Sequence, residues 1–256
     1  MGTPLKELFL AYRNPMKLSI IIPCWNEEMN VPRFVNEVWP VLAATGEQFE
    51  VIIVDDGSTD RTVEEIKKII KPEVRLVDYG CHQGLGAAVR AGINAATGDY
   101  TIILDSDLTF HPSLISRLLA AKREHTAADF IIGSPQLGGY GVGIPAWRLV
   151  ISKLANFIYY ILLGKKITSI NQIFRLYTTA YLKKLSLTAI GFDINAEILF
   201  KLVFRGHTFI EIPAELTQRQ FGVSKLNYVR EIRRHLMLIL KILKWKFFGF
   251  ESPMTF

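Results

Sequence analysis

The sequence predicts an α/β domain organised around a largely parallel sheet, and three observations carry that prediction. From Lys17 onward, short β-branched runs alternate with helix-length amphipathic segments, the rhythm of consecutive βαβ units. The runs are apolar at nearly every position, as in strands covered by helices on both faces. Three of them end in polar text, "PCWNEE", "DDGSTD" and "DSD", at the carboxyl edge where open parallel sheets bind ligands.

The first strand is "LSIIIP", and "NVPRFVNEVWPVLAAT" follows as a helix. "FEVIIVDD" is the second strand, with "TVEEIKKII" after it as a helix that Asp60 or Thr62 can cap. "VRLVDYG", the helix "LGAAVRAGINAA" and the strand "YTIILDSD" complete the regular part. After about residue 140 a glycine-broken loop feeds an amphipathic helix, "LVISKLANFIYYILLG". "FRLYTTAYLKKL", "INAEILFKLVFRG" and a last strand, "TFIEIPAEL", follow. The chain closes on "YVREIRRHLMLILKILKWKFFGF".

At 256 residues there is room for one large domain but not for two enzyme domains and a linker. The expected division is an extension over 1–16, a catalytic domain over 17–227 and a basic amphipathic segment over 228–256. Residues 1–16 lack the pattern of a signal peptide, and Lys6 stands where a myristoylation motif needs Ser or Thr. Cys24 and Cys81 give neither a disulfide framework nor a metal spacing, and both read as core thiols. Apolar residues make up 50% of the chain, so some apolar surface is expected to face something other than water. No apolar run reaches the roughly 20 residues of a spanning helix. The net charge of +6 suits an anionic lipid surface or a polyphosphorylated ligand, and no nucleic-acid partner is expected.

Asp105 and Asp107 flank one residue, so both carboxylates can converge on one hard cation, Mg²⁺ or Mn²⁺. Taken alone, the stretch is equally a turn leading into a helix cap. Asp55-Asp56-Gly57 ends another strand where a parallel sheet can hold a ribose or base edge. Gly84-x-Gly86 opens a helix but follows the acidic strand ends, the wrong order for a dinucleotide fingerprint. It reads as a helix entrance packed close to the sheet or to a ligand.

Together "SIIIPCWNEEMNV", "VIIVDDGSTDRT", "GLGAAVRAGINAATGDY" and "ILDSDLTFHP" resemble the inverting glycosyltransferases of GT-A fold, most of all the dolichol-phosphate mannose synthases and polyprenyl-phosphate glycosyltransferases. The resemblance runs from Lys17 to about Leu240 and implies a Rossmann-like, mostly parallel sheet flanked by helices, with C-terminal amphipathic helices. It implies that Pro23, Trp25, Glu27, Val54, Asp56 and Ser106 bind the nucleotide sugar, with Trp25 where the family has Tyr. Asp105 and Asp107 are implied to hold the metal and diphosphate, and Arg219 and Lys225 to carry the chemistry beside them. Arg148 and Ser224 are implied at the acceptor phosphate. The sequence departs from the family at Thr109, where mannose synthases have Gln, at Pro135 in place of Arg, and in "SINQIFR", where only Phe174 and Arg175 match.

The function so implied is metal-dependent transfer of a hexose, mannose or glucose, from a GDP- or UDP-sugar to polyprenyl or dolichyl phosphate with inversion. The expected place is peripheral, on the cytoplasmic face of a membrane, with the basic amphipathic C-terminus against anionic lipid. Two alternatives stay open. One is transfer to a saccharide or other hydroxyl, with Asp193 or Glu197 as base if not merely a helix-surface carboxylate. The other is a non-catalytic nucleotide-sugar-binding relative.

Overall fold

The computed structural model describes residues 15–141, 146–164, 167–222 and 228–248. Its strands are β1 (Lys17–Cys24), β2 (Gln48–Asp55), β3 (Val74–Asp78), β4 (Tyr100–Ile103), β5 (Phe130–Ser134), β6 (Arg175–Thr178) and β7 (Phe209–Pro213). They form one sheet in the order β3-β2-β1-β4-β6-β5-β7. All neighbouring pairs are parallel except those of β6, which runs against both β4 and β5. β1 and β2 are buried along most of their length, which explains apolar runs without alternation.

The helices are α1 (Arg33–Glu37), α2 (Trp39–Ala44), α3 (Thr62–Lys68), α4 (Leu85–Ala95), α5 (Ile115–Glu124), α6 (Pro135–Gly138), α7 (Ala146–Leu163), α8 (Thr179–Lys183), α9 (Ile194–Phe204) and α10 (Tyr228–Phe248). The single helix expected after β1 is two, because Pro40 has no N–H to continue the ladder of α1. Neither Asp60 nor Thr62 is the cap of α3: Arg61 holds that position without a side-chain bond, and Asp60, one residue earlier, accepts from the Thr62 N–H at 2.9 Å.

Two cores fill the faces of the sheet. One joins Ile21, Val54, Ile103 and α4 to α7, α9 and the inner side of α10. The other joins Leu18, Ile53 and Leu104 to α1, α2 and α5. Helix α4 lies so close to β1 that a Cβ on Gly92 would meet Ile21 Cγ2 at 2.4 Å. At Gly86 a Cβ would meet the carbonyl oxygen of Ala189 at 2.1 Å, so the glycine entrance packs on the loop before α9 and not on the sheet.

Buried charge pins that side of the molecule. Arg175, fully buried, donates to the carbonyls of Asn195 at 2.8 Å and Ser169 at 3.2 Å, and to that of Ile170. Glu211 accepts from the N–H groups of Thr168 at 2.9 Å and Ser169 at 3.0 Å. Phe174 stacks on Phe110 with centroids 5.1 Å apart. Phe174 and Arg175 are thus structural, holding the loop ahead of β6 at the carboxyl end of β4.

Candidate active site

Three strand ends meet at one edge of the sheet. After β1, Asn26 takes a left-handed conformation with φ of 53°, which Asn tolerates better than most residues. It ties the first loop to the second: its N–H donates to Ser58 Oγ at 2.9 Å, and its side chain accepts from the Thr59 N–H at 2.7 Å. Glu27 is buried, and its backbone N–H donates to Thr62 Oγ1 at 2.7 Å. After β2, Asp55 closes its own turn by accepting from the Ser58 N–H at 2.9 Å.

Asp56 accepts from the N–H groups of Gln83 at 2.8 Å and Gly84 at 2.9 Å, and from the Tyr79 hydroxyl at 2.6 Å. Burial and the Asp56 carboxylate push the Tyr79 phenol well above its ordinary range, so it stays a donor. His82 Nδ1 lies 2.9 Å from Asp56 Oδ2, the oxygen that accepts from Gly84, and the His82 ring stacks on Trp25 at 4.0 Å and 17°.

The Asp105-Ser106-Asp107 turn leaves β4 beside these loops. Asp107 Oδ1 accepts from the Thr109 N–H at 3.0 Å, and the turn closes with Leu108 at φ of 56°. Arg219 arrives from the loop after β7 and bridges two acids: its Nε donates to Asp107 at 2.8 Å and its Nη2 to Glu27 at 3.3 Å. Thr217 holds that loop in place by donating through N–H and hydroxyl to the Thr109 carbonyl at 2.8 and 2.9 Å. Burial, then the Asp107 carboxylate, and Glu27 after the opposing Arg219, hold the Asp105 carboxyl well above the usual range.

Negative charge is therefore concentrated beyond what one guanidinium offsets. That fits a divalent cation taking Asp105 and Asp107 as protein ligands and completing its shell from phosphate oxygens and water. Among the described residues no group of three His, Cys, Asp or Glu side chains is arranged to hold a metal without substrate.

Most of the residues singled out in the sequence come together here: Pro23, Trp25 and Glu27 at the end of β1, Asp56 after β2, Asp105 to Asp107 after β4, and Arg219. Val54 does not. Its side chain is fully buried in the core beneath the site. Ser224 and Lys225 lie outside the described residues, as does the side chain of Arg148 in α7. Cys81 is exposed and corrects the expectation of two core thiols, because Gly80 at φ of 72° turns it outward from the end of β3. Glu197 is no surface carboxylate: it accepts from the N–H groups of Thr188 at 2.9 Å and Ala189 at 2.7 Å and pairs with Lys201 at 2.8 Å. Asp193, also buried, accepts from the Gly191 N–H at 3.0 Å.

Sequence reasoning missed Arg33, which donates to the Asp107 carbonyl at 3.1 Å while paired with Glu37 at 2.7 Å. It also missed Tyr79 and His82; "DYGCH", just past a strand, was the available signal.

Helices α7 and α10 carry apolar side chains outward as well as inward. On α7, Leu154, Phe157, Ile158 and Ile161 recur at helical spacing and are exposed. On α10, Ile232, Leu236, Met237 and Leu240 are exposed among the cations Arg233, Lys241 and Lys244. Leu238 and Ile242 of the same helix face the core. Among the described residues no helix is long and apolar enough to cross a membrane.

Comparison with known proteins adds a family, two relatives and two solved structures of one enzyme. The glycosyl transferase family 2 profile matches residues 19–186. The polyprenol monophosphomannose synthase of Mycolicibacterium smegmatis is 32% identical over 84% of this chain and 83% of its own. The dolichol-phosphate mannosyltransferase of Pyrococcus furiosus is 32% identical over 90% of this chain, which spans 65% of that relative's length. Among solved structures, glucosyl-3-phosphoglycerate synthase from Mycobacterium tuberculosis, in complex with Mn²⁺, UDP and glucosyl-3-phosphoglycerate, aligns with a TM-score of 0.68 at 18% identity. The alignment covers 98% of this chain and 87% of that one, a likeness of fold. The same enzyme with Mg²⁺ and UDP aligns with a TM-score of 0.68 at 19% identity, covering 98% of this chain and 86% of that one.

Proposed function

The chain belongs to glycosyl transferase family 2, and from that premise we propose that it moves a hexose, mannose or glucose, from a nucleoside-diphosphate sugar to polyprenyl or dolichyl phosphate. The observation that carries this reading is the acidic turn after β4, bridged to Glu27 by Arg219 at the carboxyl edge of the sheet. Two relatives at 32% identity bear names of polyprenol and dolichol phosphate mannosylation, which supports the acceptor class and makes mannose the first sugar to test.

In this mechanism Trp25 and Asp56 hold the nucleoside, and Asp105 and Asp107 face the diphosphate. A bound Mg²⁺ or Mn²⁺ supplies the Lewis acid that neutralises the diphosphate as negative charge develops on it. Arg219 adds a fixed cation aimed at the same charge, an arrangement that needs no reorganisation during reaction. The acceptor phosphate is already ionised, so an oxygen of it attacks C1 as the C1–O bond to the diphosphate breaks, inverting that carbon without a strong general base. Lys225, Arg148 and Ser224 are assigned to orient the acceptor.

The exposed apolar side chains of α7 and α10, with the cations of α10 among them, support peripheral binding to an anionic membrane, where the lipid acceptor would be met, and the cytoplasmic face is proposed with it. The hydroxyl-acceptor alternative has no such support, since Glu197 is committed to backbone N–H groups and Lys201. Incubation of the protein with GDP-mannose, GDP-glucose, UDP-glucose or UDP-mannose, Mg²⁺ or Mn²⁺ and polyprenyl phosphate should release nucleotide and yield a glycosylated lipid phosphate. Release that depends on an added saccharide would shift the assignment to a hydroxyl acceptor, and no release with any donor would favour a binding protein.

A further inference from the structure

His82 occupies the two contacts that a nucleobase would need. Its ring lies on Trp25, centroids 4.0 Å apart and 17° from parallel. Its Nδ1 lies 2.9 Å from Asp56 Oδ2 and 3.3 Å from the Asp56 carbonyl oxygen. A carboxylate and a carbonyl only accept, so the imidazole nitrogen between them is the N–H donor. A flat heterocycle stacked on an indole with a ring N–H on a carboxylate is also how uracil or guanine would sit there. Adenine and cytosine offer no ring N–H.

A base needs roughly 3.5 Å to each face it stacks on, about 7 Å between two walls. The Trp25–His82 spacing of 4.0 Å cannot admit one. The segment bearing His82 is a strap between β3 and α4, held by Asp56 through the N–H groups of Gln83 and Gly84, and its imidazole is the part that can swing out. Gly80 and Gly84 bracket it at φ of 72° and 97°, conformations that favour glycine. It lies against Gly57, where a Cβ would meet the His82 nitrogen at 2.4 Å.

We propose that His82 is an internal stand-in for the nucleobase, competing with uracil or guanine for Trp25 and Asp56 and leaving the stack when the donor binds. The inference rests on the nucleoside placement given above. Its consequence is that donor affinity is reduced by the fraction of molecules in which the imidazole lies on Trp25.

The test is calorimetric titration of the full chain with UDP, GDP and ADP in Mg²⁺, for wild type, His82→Ala, Trp25→Ala and Asp56→Asn. His82 is 44% exposed, so its removal should leave the melting temperature close to wild type. His82→Ala should bind whichever of UDP or GDP the wild type prefers about threefold or more tightly, with no gain for ADP, while Trp25→Ala and Asp56→Asn lose affinity. If Trp25→Ala and Asp56→Asn lose affinity but His82→Ala binds equally or more weakly, His82 is a wall of the slot and the proposal falls alone. If Trp25→Ala and Asp56→Asn bind like wild type, the nucleoside lies elsewhere and both assignments fall. An equal gain for ADP would also overturn the stand-in, because Asp56 would then not be what is released.

Discussion

Arg219 reaches across 112 residues of sequence to join Asp107, and that pairing offsets part of the negative charge at one strand end. Asp107→Ala removes a partially exposed carboxylate and no core atom, so the fold should survive. Transfer should fall by about 10²–10³, the scale of losing one key electrostatic contact in a transition state. Steady-state kinetics beside a melting curve checks both halves. The Asp-x-Asp was legible in the sequence because its spacing is local. The role of Glu197 was not, since its partners Thr188 and Ala189 sit in a loop whose path only tertiary packing decides. Burial pushes the Glu197 carboxyl up, but Lys201 and those N–H groups outweigh it and hold the pKa below 4.5. Its stabilisation is therefore complete above the unfolded value of 4.5 and lost as pH falls through the lower folded value. Glu197→Gln should cost on the order of 3 kcal/mol at pH 7. Denaturant unfolding at several pH values should show the gap to wild type closing below about pH 4.5.

Helix α10 serves two environments with one sequence. Leu238 and Ile242 enter the core shared with α7 and α9, while Ile232, Leu236 and Leu240 recur every four residues on the opposite, exposed side. Periodicity in the sequence cannot separate a core-packed helix from an interfacial one, because both stripes are apolar. Leu238→Ala should destabilise the protein by roughly 2–5 kcal/mol through the cavity it leaves. Leu236→Glu with Leu240→Glu should leave stability within about 0.5 kcal/mol and sharply reduce sedimentation with anionic vesicles at low salt. Unchanged sedimentation would remove α10 from the membrane contact. The break between α1 and α2 was legible in principle at Pro40, but the apolar period runs through it from Phe34 to Leu42 and hides the stop.

For the whole molecule, the βαβ rhythm was visible through β4, because each strand there is followed by its helix and returns parallel. The reversal of β6 was not visible. Its four residues carry no pattern of direction, and only the pairing of Ile103 with Arg175 reveals that the loop ahead of β6 lies beside Asp105. That reversal brings the second half of the chain to the carboxyl edge, and Arg219 with it. By the proposed mechanism this edge moves a hexose onto an ionised lipid phosphate. The most direct measurement is mass-spectrometric analysis of polyprenyl phosphate after incubation with each nucleotide hexose, for wild type and Asp107→Ala. One hexose added to the lipid phosphate by wild type, and about a hundredfold less in the variant, is the predicted result. A hexose delivered to water or a saccharide while the lipid phosphate stays unmodified with every donor would contradict it.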